Sequence, residues 1–214
     1  MKPLIIVGAR GFGSEIYQLV CDINNVKPEW EILGFLDDDV DLQGEYIFEL
    51  QVLGGIEYLE RLPNVSVVLA ISDSKAKGKI IERILNISKS IHFPNILHPT
   101  ISTNKKYINF GIGNVVCQYC LFTTNVEIGD FNTFNTRVTL GHDIKVGNFN
   151  SFNPNVQISG NVLIGSFNFF AVNSVILQGI SIGDFNFIGA CSLVIKKIKD
   201  NTKVFGIPAQ KFMF

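Results

Sequence analysis

Charge is scarce in this chain. Eighteen basic and nineteen acidic side chains among 214 residues leave a net charge of −1. That balance offers no grip for a nucleic-acid backbone or an anionic membrane surface. The sequence is 47% apolar, yet it has no unbroken apolar run of the roughly 18 residues that a membrane-spanning helix needs. It opens directly on a strand-like segment with no basic leader or cleavage site, so the cytoplasm is the expected compartment. Cysteine is sparse, at four residues. Cys117 and Cys120 have C-x-x-C spacing but no second pair, and they fall inside a repeat, which favours free structural thiols over a metal or redox site. Histidine occurs only three times.

What the second half does have is a ladder. Fifteen apolar residues recur at intervals of six from Phe110 to Val194 without a polar interruption. Among them are Val116, Phe122, Ile128, Phe134, Leu140 and Val146. A period of six is neither helical nor that of a flat strand. It fits a coil that turns a corner every six residues and buries one side chain per segment, a parallel β-helix. A second level has period 18: Phe131-Asn132, Phe149-Asn150, Phe167-Asn168 and Phe185-Asn186 fall in step. Three flat faces per coil follow, with matching residues stacked at strand spacing, and about five coils fit between residues 105 and 195. Gly or Asn after many of the buried residues, as at Gly129, Asn135 and Gly141, suits a tight or left-handed corner. The inward asparagines can bond along their stack.

The first half reads differently. Short apolar runs at 2–7, 31–36 and 65–71 alternate with helical patterns, the last running from about Ser74 to Asn86, which argues for a parallel sheet covered on both faces. The expected domains are therefore 1–95, a Rossmann-like α/β unit, and 96–214, an all-β coil. Gly8-Ala9-Arg10-Gly11-Phe12-Gly13 after the first strand has G-x-x-G-x-G spacing, not the dinucleotide fingerprint. It still lets backbone and a helix start approach a diphosphate. Asp37-Asp38-Asp39, closing the second strand, would meet a sugar or ribose hydroxyl, or else form a solvated loop. Gly54-Gly55 fits either the same cleft or a plain turn, and lysines 75, 77 and 79 read as a solvated helix face.

In a repeating coil, the functional residue is the one its ladder does not predict. The rung Thr124, His142, Gly160, Gln178 holds a single histidine, and Asp143 follows it where the rungs above and below have Asn125, Asn161 and Gly179. His92 and His98 lie in the connector and read as packing or capping residues.

With Gly34-Phe35-Leu36-Asp37-Asp38, His98-Pro99-Thr100, Gly141-His142-Asp143 and Val204-Phe205-Gly206-Ile207-Pro208-Ala209, these segments carry a family resemblance across nearly the whole chain. The chain resembles bacterial nucleotide-sugar acetyltransferases of the bacillosamine-pathway type, grouped with sialic acid O-acetyltransferases. The resemblance implies a left-handed coil, a homotrimer and an acetyl-CoA-dependent N-acetyltransferase of a nucleotide-linked amino sugar, used in surface-glycan (lipopolysaccharide, capsule or glycoprotein) biosynthesis. It makes His142 the general base and Asp143 its carboxylate partner, with no metal. It places Arg10, Gly11, Phe12, Asp37 and Asp38 at the nucleotide-sugar, where Gly54 is a further candidate from its position, and Gly160 with the later coils at acetyl-CoA. Phe12 departs from the family's usual histidine. Lys196, Lys197 and Lys199 fit a coenzyme A phosphate or a solvated tail. Two alternatives remain at this level: acetylation of a sugar hydroxyl, and a binding β-helix without turnover.

Overall fold

The computed structural model describes residues 1–88, 90–101 and 106–212; the expected start of the coils near residue 105 lies outside them. The chain divides into two units, Met1–Ile96 and Leu97–Phe214.

In the first unit a five-stranded sheet holds β1 (Lys2–Val7), β2 (Trp30–Leu36), β3 (Tyr46–Ile47), β4 (Leu50–Gly54) and β5 (Ser66–Leu69) in the order β3-β4-β2-β1-β5. All pairings are parallel except that between β3 and β4. Leu4, Ile5, Ile6 and Val7 of β1, which lies between β2 and β5, are buried, which is why that strand is a continuous apolar run. Helix α1 (Gly11–Val26) buries Ile16, Leu19 and Val20, the stripe its sequence period marks. The β3–β4 hairpin was not anticipated; its strands are two and five residues long and its turn carries Phe48 at φ 53°.

Helix α2 (Ser74–Ile87) corrects one expectation. Asp73 caps it, its carboxylate accepting from the Ala76 N–H at 2.6 Å. Lysines 75 and 79 face outward or nearly so, but Lys77 is only 1% exposed. It stands four and seven residues before Ile81 and Ile84, on the buried stripe of the helix. Burial pulls its ammonium down to about 7, against the opposing pull of Asp73.

The second unit is a parallel β-helix of three sheets, each built from strands two or three residues long. Its registers advance by 18 residues, as in Glu127↔Lys145 and Phe134↔Phe152. Fourteen of the fifteen ladder residues are buried, and Phe110 packs half-buried against the same core. Inside, Phe134, Phe152 and Phe170 stack with centroids 4.7 and 4.6 Å apart. Cys120 belongs to this core, its thiol donating to the Asn135 carbonyl at 3.0 Å and pushed up to about 12 by burial.

An asparagine ladder runs beside it. Asn132, Asn150 and Asn168 each donate Nδ2 to the Oδ1 of the asparagine one coil back, at 3.0–3.1 Å. Their backbone N–H groups donate to the same oxygens, and Asn186 N–H donates to Asn168 Oδ1. These amides are buried, and the ladder meets hydrogen-bonding demands that isolated polar residues would leave open.

The corners differ from the expectation in one respect. The left-handed backbone falls at the third residue of each corner, at Asn125, Phe131, Arg137, Asp143, Phe149 and their successors, with φ between 55° and 61° except at Gly179, where it is 77°. Glycines that directly follow the buried residue are required by close approach instead. A Cβ at Gly129 would lie 2.8 Å from the Gly147 carbonyl oxygen, and one at Gly147 would lie 2.7 Å from that of Gly165.

The final coil breaks the period. Ile198 pairs with Ile182 and Lys203 with Phe187, offsets of 16 where 18 holds elsewhere. Two residues are missing from the corner after Val194, so Ile198 and Val204 continue the core beyond the reach of the six-residue ladder.

Candidate active site

His142 and Asp143 sit on the corner between the strands Thr139–Leu140 and Ile144–Val146. Backbone bonds to neighbouring coils pin that corner from both sides. Asp143 N–H donates to the Thr124 carbonyl at 3.0 Å, and the His142 carbonyl accepts from Asn161 N–H at 2.8 Å. Asp143 takes φ 57°, a conformation aspartate tolerates better than most residues. This turns its carboxylate back onto its neighbour, and Oδ2 lies 2.7 Å from His142 Nδ1.

The other carboxylate oxygen is held as well. Asn125 Nδ2 donates to Asp143 Oδ1 at 2.5 Å. That bond, and next the one to His142, hold the Asp143 carboxyl below the usual carboxylate range. With Nδ1 directed at a carboxylate, the neutral imidazole carries its proton there and leaves Nε2 as the acceptor.

Gly160 lies against this ring. A Cβ built there would come within 2.5 Å of Nε2, 2.6 Å of Cε1 and 2.9 Å of Cδ2. Its φ is outside the left-handed range, so the residue is small for the sake of the imidazole, not for its own backbone. About half of each side chain in the pair is exposed, 55% for His142 and 52% for Asp143. The arrangement is an accessible imidazole in a fixed orientation, with one nitrogen free to take a proton.

In the α/β unit the carboxylates predicted to meet substrate hold backbone or guanidinium. Asp37 accepts from Ala9 N–H at 2.9 Å through one oxygen and from Asp39 N–H at 3.0 Å through the other. It thereby fixes the glycine loop to the end of β2. Asp38 accepts from Ile56 N–H at 3.1 Å and from Arg83 Nη1 at 2.6 Å. Burial raises its carboxyl, but Arg83 and the Ile56 amide outweigh that and keep it low. Arg83 also bonds Glu57 at 2.6 Å. Arg10 pairs with Asp39, the third of the acidic run.

Within the loop, Gly8 and Gly13 are dictated by packing. A Cβ on Gly8 would lie 2.6 Å from the Ala70 carbonyl oxygen, and one on Gly13 would lie 2.2 Å from that of Gly8. Gly11 has open space around its Cα and begins α1, whose N-cap residue, Arg10, makes no side-chain bond to the helix N-terminus. Phe12 is half-buried beside it. Gly54, at φ 149°, ends β4 with its carbonyl accepting from Asp37 N–H at 2.9 Å, so Arg10, Gly11, Phe12, Asp37, Asp38 and Gly54 gather at one end of the sheet.

Lys196 and Lys197 are exposed in the shortened last corner, so they do not stand strictly above Gln178 and Gly179 as an 18-residue register would place them. Sequence reasoning passed over Arg83, Glu57 and Asn125. The 18-residue period does place Asn125 one coil from Asp143, which was the available signal. Among the described residues, no group of three or more His, Cys, Asp or Glu side chains is placed to hold a metal ion. Nor is any helix long and apolar enough to cross a membrane.

The chain is thus a two-unit protein, a small, mostly parallel α/β sheet followed by a hexapeptide β-helix with one histidine corner. Residues 3–84 match the PglD N-terminal domain family. Over the full chain the fold is similar to perosamine N-acetyltransferase from Caulobacter crescentus, solved in a histidine-to-asparagine form with CoA and GDP-perosamine. The TM-score is 0.88 at 20% identity, covering 100% of this chain and 98% of that one. It is similar as well to the acetyltransferase domain of PglB from Neisseria gonorrhoeae, solved with acetyl coenzyme A (TM-score 0.87, 24% identity, 99% of each chain). WeeI from Acinetobacter baumannii follows at TM-score 0.85 and 22% identity, covering 99% of this chain and 100% of its own. No curated protein sequence matches the chain. The resemblance read from the motifs holds for the first unit, where residues 3–84 match that domain family, and for the fold, an α/β unit joined to a hexapeptide β-helix.

Proposed function

We propose that the protein transfers an acetyl group from acetyl-CoA to the amino group of a nucleotide-linked amino sugar, in the cytoplasm, for the building of a surface glycan. One observation carries the reading. The histidine that interrupts the ladder is bonded through Nδ1 to a carboxylate, with Nε2 free and a glycine kept clear beside it.

Acyl transfer from a thioester needs a nucleophile with a free lone pair, alignment, and an acceptor for the proton lost as the bond forms. The sugar amine attacks the thioester carbonyl carbon, and a carbon–nitrogen bond forms as the carbon–sulfur bond breaks. The proton leaving nitrogen passes to His142 Nε2. Asp143 favours the imidazolium that results and keeps Nδ1–H in place throughout. The departing thiolate is protonated to free CoA.

In this reading the α/β unit supplies the nucleotide grip through Gly11, Phe12 and the start of α1, where helix N–H groups suit a diphosphate. Asp37, Asp38 and Gly54 shape that end of the sheet, and Arg10 is available to the phosphates once it leaves Asp39. Gly160 admits acetyl-CoA beside the imidazole, and Lys196 and Lys197 meet its phosphates. A homotrimer with active sites between neighbouring coils is part of the proposal. Nucleotide-sugar and CoA complexes of the structurally similar proteins support the two substrates.

The test is thiol release from acetyl-CoA with a panel of UDP-, dTDP- and GDP-linked 4-amino sugars, using the wild type and His142→Ala. Turnover with at least one acceptor, lowered about 10²- to 10⁴-fold in the variant, is expected for a lost general base. Equal turnover by the two proteins would remove His142 from the reaction.

A further inference from the structure

Asn125 stands one coil before the histidine corner and donates to the carboxylate oxygen that His142 does not use. Its own backbone has φ 56°, and its carbonyl accepts from Ile144 N–H at 3.1 Å. Asparagine is common at such left-handed corners, and Asn155, Asn161 and Asn173 occupy comparable ones. Backbone conformation alone would therefore explain the residue type. What sets Asn125 apart is that its side chain completes an unbroken line, amide to carboxylate to imidazole, with bonds of 2.5 and 2.7 Å.

An exposed aspartate with one oxygen on its neighbour's ring is free to rotate about its own side-chain bonds. Tying the second oxygen to the preceding coil removes that freedom. The nearby charged side chains on the adjoining sheet face, Glu127 and Lys145, bond each other at 2.9 Å. Among the described contacts, Asp143 is the charged group bonded to the imidazole.

We infer that Asn125 is a positioning residue of the active site. It locks the Asp143 carboxylate against His142 Nδ1 and so keeps Nε2 oriented as the proton acceptor. The inference rests on the proposed role of His142 as base.

Two variants test it. Asn125→Gly keeps a residue suited to positive φ and deletes the donor. Asn125→Asp keeps the shape and replaces the donor by a repelling carboxylate. Asn173→Gly, at a corner away from His142, is the control for loss of an asparagine side chain. The expected result for Asn125→Gly is a kcat lowered about 3- to 30-fold, less than loss of the base itself, with KM for both substrates near wild type. The ring-nitrogen resonances of neutral His142 should also shift from the Nδ1–H tautomer toward the Nε2–H one, since a carboxylate free to rotate holds Nδ1–H less firmly. Asn125→Asp should lose at least as much kcat, and the control should match the wild type.

With three histidines in the chain, the resonances can be assigned by their loss in His142→Ala. That tautomer measurement needs no turnover, so it decides the positioning role even where no acceptor sugar reacts. Absence of turnover in the wild type would count against the proposed function alone. An unchanged tautomer balance in Asn125→Gly would overturn the inference, as would a fall in kcat equalled by the control.

Discussion

Replacing Gly160 by alanine separates fold from function at this corner. The added methyl carbon would sit 2.5 Å from His142 Nε2 and 2.6 Å from Cε1, against the 3.4 Å or more of ordinary contact. Something must therefore move by about 1 Å. Gly160 has no left-handed φ to lose, and the atoms it meets belong to a half-exposed side chain, so the ring yields before the backbone does. The coil should be spared, with a melting temperature close to that of the wild type. Catalysis should not be, because misplacing a reacting group by 1 Å costs on the order of 10²-fold. Stopped-flow thiol detection at saturating acetyl-CoA would show kcat falling by about that factor. A crystal structure of the variant would show the imidazole turned from Asp143 or displaced along the corner. If Gly160→Ala keeps wild-type kcat, the idea that this glycine exists to clear space for the base is wrong.

Further outcomes follow from the same geometry. The low ionisation of buried Lys77 means that the unfolded chain holds an extra proton between about pH 7 and the ordinary lysine value near 10.4, so stability rises with pH across that window. Urea unfolding at pH 7 and pH 9 should show this gain in the wild type; Lys77→Met should abolish it and be the more stable protein at pH 7, and an unchanged slope would exclude the burial argument. Asn150→Ala removes the acceptor of two Asn168 donors and a donor to Asn132 and Gly165. Leaving buried groups unpaired costs about 1–3 kcal/mol each, so unfolding should require distinctly less urea, and an unshifted midpoint would contradict the ladder's role. The Asp38 carboxyl is held low and binds Arg83, so the contribution of this contact is present above the ordinary carboxylate range and lost as pH falls through the depressed value. Asp38→Asn should flatten that acid limb in a pH–melting series, which an unaltered limb would refute.

How far the fold was legible depended on period. The six-residue ladder identifies the β-helix because each buried side chain is forced to recur, and the 18-residue level marks the asparagine stack. Where the period fails, so did the reading. The two-residue loss after Val194 left Ile198 and Val204 outside the ladder, although both are core. Lys77 was misread because residue type outweighed position on the buried stripe of α2. The β3–β4 hairpin was missed for want of length, β3 being two residues.

At the site, His142 and Asp143 were found because they break a repeat. Asn125 was hidden because it obeys one: an asparagine at a left-handed corner looks like backbone chemistry until its side chain is seen on a carboxylate. Asp37 and Asp38 were placed at the right end of the sheet, but their bonds to Ala9, Ile56 and Arg83 cross 18 to 45 positions in sequence. No local pattern carries such contacts.

The most direct measurement is mass spectrometry of the products formed from acetyl-CoA and nucleotide-linked 4-amino sugars, read before and after hydroxylamine treatment. The account predicts one added acetyl group that survives hydroxylamine, formed by the wild type and nearly absent with His142→Ala. An acetyl group that hydroxylamine removes would place the transfer on a hydroxyl. A sugar left unmodified across the panel, with acetyl-CoA intact, would contradict the account outright.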